Sequence, residues 1–311
     1  MALSSQQSVV SNVRISNMKL TLLGTGSPVP MADRASSGYV IEIGDEVLVF
    51  DHGQGAHTNF LKAGFKATDV NTAFFSHLHF DHCADYPRLV HTRWDQGAGQ
   101  IPDLNVYAPE YMHRMDDLLF KEQGVFHPDL DGRMNSSGSR VVYKNRGGTL
   151  PRKRPSPNIT SLYDGQIIES DHWKVTVRQV YHQPGYIEPY AFRIESDEGV
   201  IVYSGDTGPC DGINEISEGA DILIHMCYFL SGTFNQDDKI LTSSGHLEAA
   251  HTAANAGAKT LVTTHFTPQM DAQGIKERCL GEMAQIYDGR IIWGEDLMVI
   301  PLHQDTIPHA G

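Results

Sequence analysis

Short apolar runs alternate with helical patterns from about residue 18 onward. Lys19–Leu23 (KLTLL) runs into Gly24-Thr25-Gly26 and reads as a strand closed by a turn. Tyr39–Ile43 and Val47–Phe50 flank Gly44-Asp45-Glu46, which predicts a hairpin. Thr72–Phe75 (TAFF) predicts a short buried strand, and Trp173–Val180, Ala191–Ile194, Val200–Tyr203, Ile222–His225 and Thr260–Thr264 continue the series. His246–Ala256, apolar mainly through alanine, and Gly274–Ile286 predict helices. Strands and helices interleaved in this way predict an α/β domain built in layers. No repeat period recurs, which excludes a solenoid. Residues 1–17 are polar and predict a flexible segment, and residues 18–311 predict a single domain.

Composition refines this picture. Of 311 residues 40% are hydrophobic and 20% charged, enough apolar material for a sizeable core. The net charge of −14 argues against charge-driven binding to nucleic acid or anionic membranes. The acidity is uneven, however. From Gly132 to Tyr163 there is no acidic residue, while Arg133, Arg140, Lys144, Arg146, Arg152, Lys153 and Arg154 all fall there. Residues of about 124–163 therefore read as an insertion. It is either a solvated basic loop or an arm that steers anions or clasps a second copy. The N-terminus lacks a signal peptide's basic start and apolar run, and no stretch approaches the roughly 18 apolar residues of a membrane span. A cytoplasmic location without a membrane partner is expected, or a periplasmic one if a leader has been removed. Cys83, Cys210, Cys227 and Cys279 form no CxxC pair and read as free buried thiols. Sixteen histidines direct attention to metal chemistry.

Residues 76–82 read Ser-His-Leu-His-Phe-Asp-His directly after the TAFF strand. His77 and His79 are two apart and share a face where the strand ends, and Asp81 and His82 follow as the chain turns. Such a set can surround two ions, with His77 and His79 facing one and Asp81 and His82 the other. Zinc accepts imidazole nitrogen and carboxylate oxygen, and catalytic sites keep a position open for water.

This motif, HxHxDH, resembles the hallmark of the metallo-β-lactamase fold superfamily, and the resemblance extends from about residue 18 to 302. It implies a four-layer αββα sandwich, with the basic insertion between the second and third metal motifs. Asp51, His182 in Val-Tyr-His, Asp206 in Ser-Gly-Asp-Thr and His265 in Thr-Thr-His-Phe match the remaining motifs. By that match His77, His79 and His182 hold one zinc ion, Asp81, His82 and His265 the other, and Asp206 bridges them. Manganese or iron are the alternatives to zinc. Asp51 is expected to buttress the site, and His52 to be a packed ring beside it.

LLGTGSPVP, VFDHGQG and Ser-Gly-Asp-Thr-Gly-Pro-Cys resemble the ribonuclease Z and arylsulfatase-like branch. There a His at the position of His246 assists the leaving group, so His246 and Asp81 are the expected catalytic residues. Three departures count against a transfer-RNA nuclease. His182 and Asp206 are too close in sequence to hold that nuclease's arm, Met226 replaces an orienting Glu, and His52 replaces a Cys. The stretch from Asp85 to Trp94 is more similar to arylsulfatase-like small-molecule hydrolases. The expectation is thus a dinuclear zinc hydrolase whose metal-bound hydroxide attacks an ester or activated aromatic bond of a small molecule. Arg93, Trp94, Tyr186, Tyr190 and Tyr228 are the expected pocket walls. Homodimerisation is expected from the resemblance. RNA is disfavoured as a substrate, and a ribonuclease Z-like endoribonuclease using the basic segment as an exosite is the alternative, with lactonase or β-lactamase activity also open.

Overall fold

The computed structural model describes residues 18–233 and 242–302. The expected flexible segment 1–17 lies outside the described residues. The first sheet is built from β1 (Lys19–Gly24), β2 (Gly38–Ile43), β3 (Glu46–His52), β4 (Val70–Phe74), β5 (Asn105–Ala108) and β6 (Asn158–Ser161). The second comprises β7 (Ile167–Glu169), β8 (Lys174–Gln179), β9 (Tyr190–Ser196), β10 (Gly199–Tyr203), β11 (Ile222–Met226), β12 (Thr260–Thr264) and β13 (Arg290–Trp293). β14 (Val299–Pro301) returns to pair with β1, so each sheet has seven strands.

Period-two alternation decides what each strand faces. Tyr39, Ile41, Leu48, Phe50 and Phe74 pack between the sheets against Val175, Val177, Phe192, Ile194 and Tyr203. The alternate residues Val40, Val49, Ala73 and Phe75 face outward, under α1 (Ala56–Lys62) and under α3 (Tyr86–Gly97), which follows the short α2 (Phe80–Cys83). α4 (Tyr111–Phe120) closes that layer. On the far face Val202, Leu223 and Leu261 bury themselves beneath α7 (Asp211–Ile216) and α8 (His246–Ala256), with α9 (Ile275–Met283) beside them. The result is the expected αββα sandwich. Each fully buried Leu, Ile or Phe in it contributes about 1.5–3 kcal/mol relative to exposure.

The basic insertion is not a solvated loop. It folds as α5 (His127–Asn135) and α6 (Ser137–Asn145). Asp95 of α3 draws in Arg133 at 3.4 Å, Arg146 at 2.7 Å and Arg152 at 3.1 Å. The Arg152 guanidinium also lies 3.6 Å from the Trp94 ring centroid and 4.8 Å from that of Tyr143. Three of the seven cations are therefore held by Asp95, and a fourth, Arg154, donates to the Phe120 carbonyl of α4 at 3.3 Å. Arg140, Lys144 and Lys153 stay exposed with no carboxylate partner among the described residues.

Candidate functional site

β3 and β4 run parallel, as do β10, β11 and β12, and each carries a candidate residue at its C-terminal end. Carboxyl ends of parallel strands are the usual place for a site in an open α/β sheet, because the connections there are free to vary. β3 delivers Asp51, β4 delivers the segment 76–82, β10 delivers Asp206, and β12 delivers His265. His182 follows β8 at the same edge.

Two groups of potential ligand atoms assemble there: His77, His79, His182 and Asp206, and next to them Asp81, His82 and His265. His79 Nδ1 lies 3.1 Å from His77 Nε2 and 3.3 Å from His182 Nε2. His265 Nε2 lies 3.2 Å from Asp81 Oδ2 and 3.4 Å from His82 Nε2. Asp206 sits between the groups, with Oδ2 3.2 Å from His265 Nε2 and 3.8 Å from both His77 Nε2 and His182 Nε2. Tetrahedral coordination with bonds of about 2.0–2.1 Å sets ligand atoms about 3.3 Å apart. The donors thus fit metal ions, and facing imidazole lone pairs at such distances need a cation between them. Asp206 Oδ1 is buried without a hydrogen-bonding partner, which fits the same role.

The atoms behind the donors fix ring orientation. Asp51 Oδ1 accepts from the Ser76 N–H at 2.7 Å. Its Oδ2 accepts from Ser76 Oγ at 2.7 Å, His82 Nδ1 at 2.7 Å and the Tyr203 hydroxyl at 2.6 Å. Ser76 Oγ in turn accepts from His77 Nδ1 at 3.0 Å. One buried carboxylate therefore turns Nε2 of His82, and through Ser76 Nε2 of His77, toward the ligand cluster. The Thr242 carbonyl does the same for His182, accepting from Nδ1 at 2.5 Å.

Backbone strain concentrates at this edge. Asp51, Gln183 and His265 adopt φ of 53°, 41° and 64°, a region L-residues rarely occupy. Gly205 has φ of 56°, and a Cβ there would meet the Tyr190 carbonyl oxygen at 2.7 Å, so only glycine can deliver Asp206.

Charge is balanced across the cluster. Burial alone would lower the His82 pKa, but the Asp206, Asp81 and Asp51 carboxylates outweigh it and hold His82 well above the usual range. Burial and the neighbouring His82 push His77 well below it. Burial would raise Asp206 and Asp81; instead His265 and His82 hold Asp206 far down, and His82 and His265 do the same for Asp81.

Other expected site residues fall elsewhere. His52 is a packed ring: its Nε2 meets His57 Nδ1 at 3.0 Å and its edge meets Phe60. Trp94 donates to the Lys153 carbonyl at 2.8 Å, and the cleft it lines holds none of the ligand residues. Arg93 pins Asn71 and Pro102, and the Tyr190 hydroxyl is spent on the Leu162 carbonyl. The polar tips of these three are taken up by other protein acceptors, mostly backbone carbonyls. Tyr186 is 90% exposed in the turn after His182. Tyr228 does reach the cluster, its ring centroid 5.5 Å from that of His265. Both ring nitrogens of His246 are engaged within the protein: Nδ1 accepts from the Ser231 N–H at 3.2 Å and Nε2 meets Glu282 at 2.7 Å. Glu282, Ser76, Tyr203 and Thr242 were not singled out by sequence, and neither was Phe80, 56% exposed between His79 and Asp81. Ser76 and Tyr203 carried a signal, standing beside ligand-bearing strand ends. Glu282 and Thr242 carried none, because tertiary folding alone brings them to their partners.

The architecture recurs in solved structures. The metallo-β-lactamase fold protein YhfI from Bacillus subtilis superposes with a TM-score of 0.69 at 22% identity, covering 91% of this chain and 99% of that one. The short form of human tRNase Z superposes with a TM-score of 0.65 at 21% identity, covering 92% and 100%. The fold is thus that of the metallo-β-lactamase proteins, and its site edge carries two adjoining groups of candidate metal ligands. A family model described as anti-Pycsar protein Apyc1 matches residues 18–115. Ribonuclease Z of Mycobacterium marinum is 30% identical over 294 residues, covering 92% of this chain and 99% of that protein. Ribonuclease Z of Mycobacterium bovis is 30% identical over 293 residues with the same coverage. The chain belongs to the ribonuclease Z family.

These relatives correct two expectations. The arylsulfatase-like small-molecule activity, inferred from the stretch ending at Trp94, gives way to the ribonuclease Z alternative. The disfavouring of RNA is likewise overturned. It had rested on the three sequence departures and on net charge; net charge is a whole-chain sum, whereas RNA would meet local groups, and Arg140, Lys144 and Lys153 are each exposed. Among the described residues no helix is long and apolar enough to cross a membrane.

Proposed function

We propose that this protein is a dinuclear zinc phosphodiesterase that cleaves RNA, with His77, His79 and His182 holding one ion, Asp81, His82 and His265 the other, and Asp206 between them. One observation carries this reading: two ligand groups meet at Asp206 in a chain similar to ribonuclease Z over nearly its whole length. The imidazole-rich, carboxylate-completed set favours zinc. When bound, such ions polarise a phosphoryl oxygen and lower the pKa of water toward about 7.

The chain's own residues then do the rest. Asp51 and Ser76 hold the rings of His82 and His77 in one tautomer and orientation. Asp206 and Asp81 stay ionised, so they balance positive charge rather than compete for protons. Exposed Phe80 offers an aromatic face at the mouth on which a base can stack. The α5–α6 insertion supplies cations for phosphates remote from the cleaved bond. The human neighbour's name specifies transfer RNA, so a transfer-RNA precursor is the first substrate to test.

The test is to load the protein with zinc, verify two ions per chain, and assay an RNA precursor and bis(p-nitrophenyl) phosphate. Cleavage of RNA at a discrete position is expected. A fully loaded protein that hydrolyses neither phosphodiester refutes the reading.

A further inference from the structure

The ring expected to assist the leaving group is not free to do so. His246 is fully buried, and both nitrogens are engaged, Nδ1 by Ser231 and Nε2 by Glu282 of α9. Glu282 is itself held by Arg278 at 2.8 Å. A ring locked between a backbone donor and a carboxylate ties α8 to α9 and to the segment after β11. Neither nitrogen is left for a substrate.

Tyr228 stands where His246 does not. It follows β11 at the ligand-bearing edge, and its ring tilts 49° over that of His265. Its backbone is tied on both sides: its N–H donates to the Ser244 carbonyl at 2.9 Å, and its carbonyl accepts from Thr267 Oγ1 at 3.2 Å. The ring is thus fixed between the approach to α8 and the segment after β12. The hydroxyl has no hydrogen-bonding partner among the described residues, whereas the Asp51 and Ser76 groups behind the cluster are each paired at 2.6–3.0 Å. A phenol ordinarily titrates at about pH 10, so its O–H is a donor at neutral pH.

We infer that the Tyr228 hydroxyl donates a hydrogen bond to the leaving oxygen of the cleaved phosphodiester, and that His246 is a positioning residue. This rests on the phosphodiesterase reading above. In the step assisted, a water oxygen bonds to phosphorus, the bond from phosphorus to the leaving oxygen breaks, and the electron pair goes to that oxygen. The water's proton ends on the leaving oxygen, and Tyr228 keeps its own proton throughout. A fixed donor at a site of developing negative charge needs no reorganisation during the reaction, which is why such donors are effective.

The test uses zinc-loaded protein and the variants Tyr228→Phe and His246→Gln. For Tyr228→Phe we expect two bound ions, an unchanged melting temperature and a fall in kcat on RNA of about 10²-fold, the scale of losing one such donor. The loss on bis(p-nitrophenyl) phosphate should be much smaller, because nitrophenolate leaves without help. Affinity for inorganic phosphate, read by calorimetry, should weaken several-fold. For His246→Gln we expect a lower melting temperature, with RNA and nitrophenyl substrates affected alike. If wild-type protein cleaves RNA while Tyr228→Phe matches it in kcat and phosphate affinity, this inference fails and the phosphodiesterase reading survives. Selective loss on RNA in His246→Gln, with the melting temperature unchanged, would also overturn it. If wild-type protein cleaves no phosphodiester, the broader reading fails first.

Discussion

Asp51→Asn is the sharpest probe of the site, because it changes one atom of a group accepting four hydrogen bonds. Oδ2 takes three of them, from Ser76 Oγ, His82 Nδ1 and the Tyr203 hydroxyl, and Oδ1 takes the Ser76 N–H. The least harmful orientation of asparagine keeps its oxygen at the Oδ2 position and points its amide at the Ser76 N–H. One buried donor is then unsatisfied, at about 1–3 kcal/mol, and each of the other bonds weakens by about 1 kcal/mol as its acceptor loses charge. Relief from burying a charge returns part of this, leaving a net loss of about 3 kcal/mol. The His82 ring and, through Ser76, the His77 ring lose their anchor, so metal affinity should fall about 10–100-fold. Urea denaturation of metal-free protein measures the first effect, and competitive zinc titration the second. Stability within about 0.5 kcal/mol of wild type together with unchanged zinc affinity would refute the assignment of Asp51 as the orienting carboxylate.

Three further outcomes follow from the same structure. Asp206→Ala should lose metal and activity together, since its carboxylate touches both ligand groups; two tightly bound ions and full turnover in that variant would remove Asp206 from the site. Changing Arg140, Lys144 and Lys153 to Glu should raise KM for RNA and flatten its salt dependence by about 2–3 in log–log slope, while kcat on bis(p-nitrophenyl) phosphate stays at the wild-type value. His52 is fully buried, and its pKa is pushed from 6.5 down to about 3, first by burial and then by His57. Below pH 6.5 the unfolded chain takes up a proton that the folded chain refuses. His52 therefore adds nothing adverse above that pH and costs about 1.4 kcal/mol per unit below it until its folded pKa is reached. Between pH 7.5 and 5 the stability lost by His52→Gln should be about 2 kcal/mol smaller than that lost by wild type, and equal losses would show that His52 is not held neutral.

Much of the site was legible in local sequence because its parts are local. HxHxDH puts four candidate donors on one turn after β4, and Asp51, Asp206 and His265 each stand directly after an apolar strand. Strands in a layered α/β domain bring such ends to a common edge. The aromatic candidates were harder, because a tryptophan beside a metal motif can face a pocket or a neighbouring helix with the same pattern. Trp94 turned to Arg152, a residue of the insertion far along the chain. The basic segment misled in the same way: its charge count was visible, but not that Asp95 would hold three of its arginines.

By itself, the sequence determined the layered α/β class, the strand ends and the identity of the candidate metal donors, because alternation and short-range spacing are properties of a few consecutive residues. Only the tertiary structure decided which hydrogen-bond partner each ring received. It sent His246 to Glu282, left the Tyr228 hydroxyl free at the cluster, and made Asp51 the shared anchor of His82 and Ser76. Those outcomes depend on how two sheets and their helices pack. Side chains distant in sequence compete there for the same buried positions, and a ring nitrogen takes whichever partner the packing brings within about 3 Å.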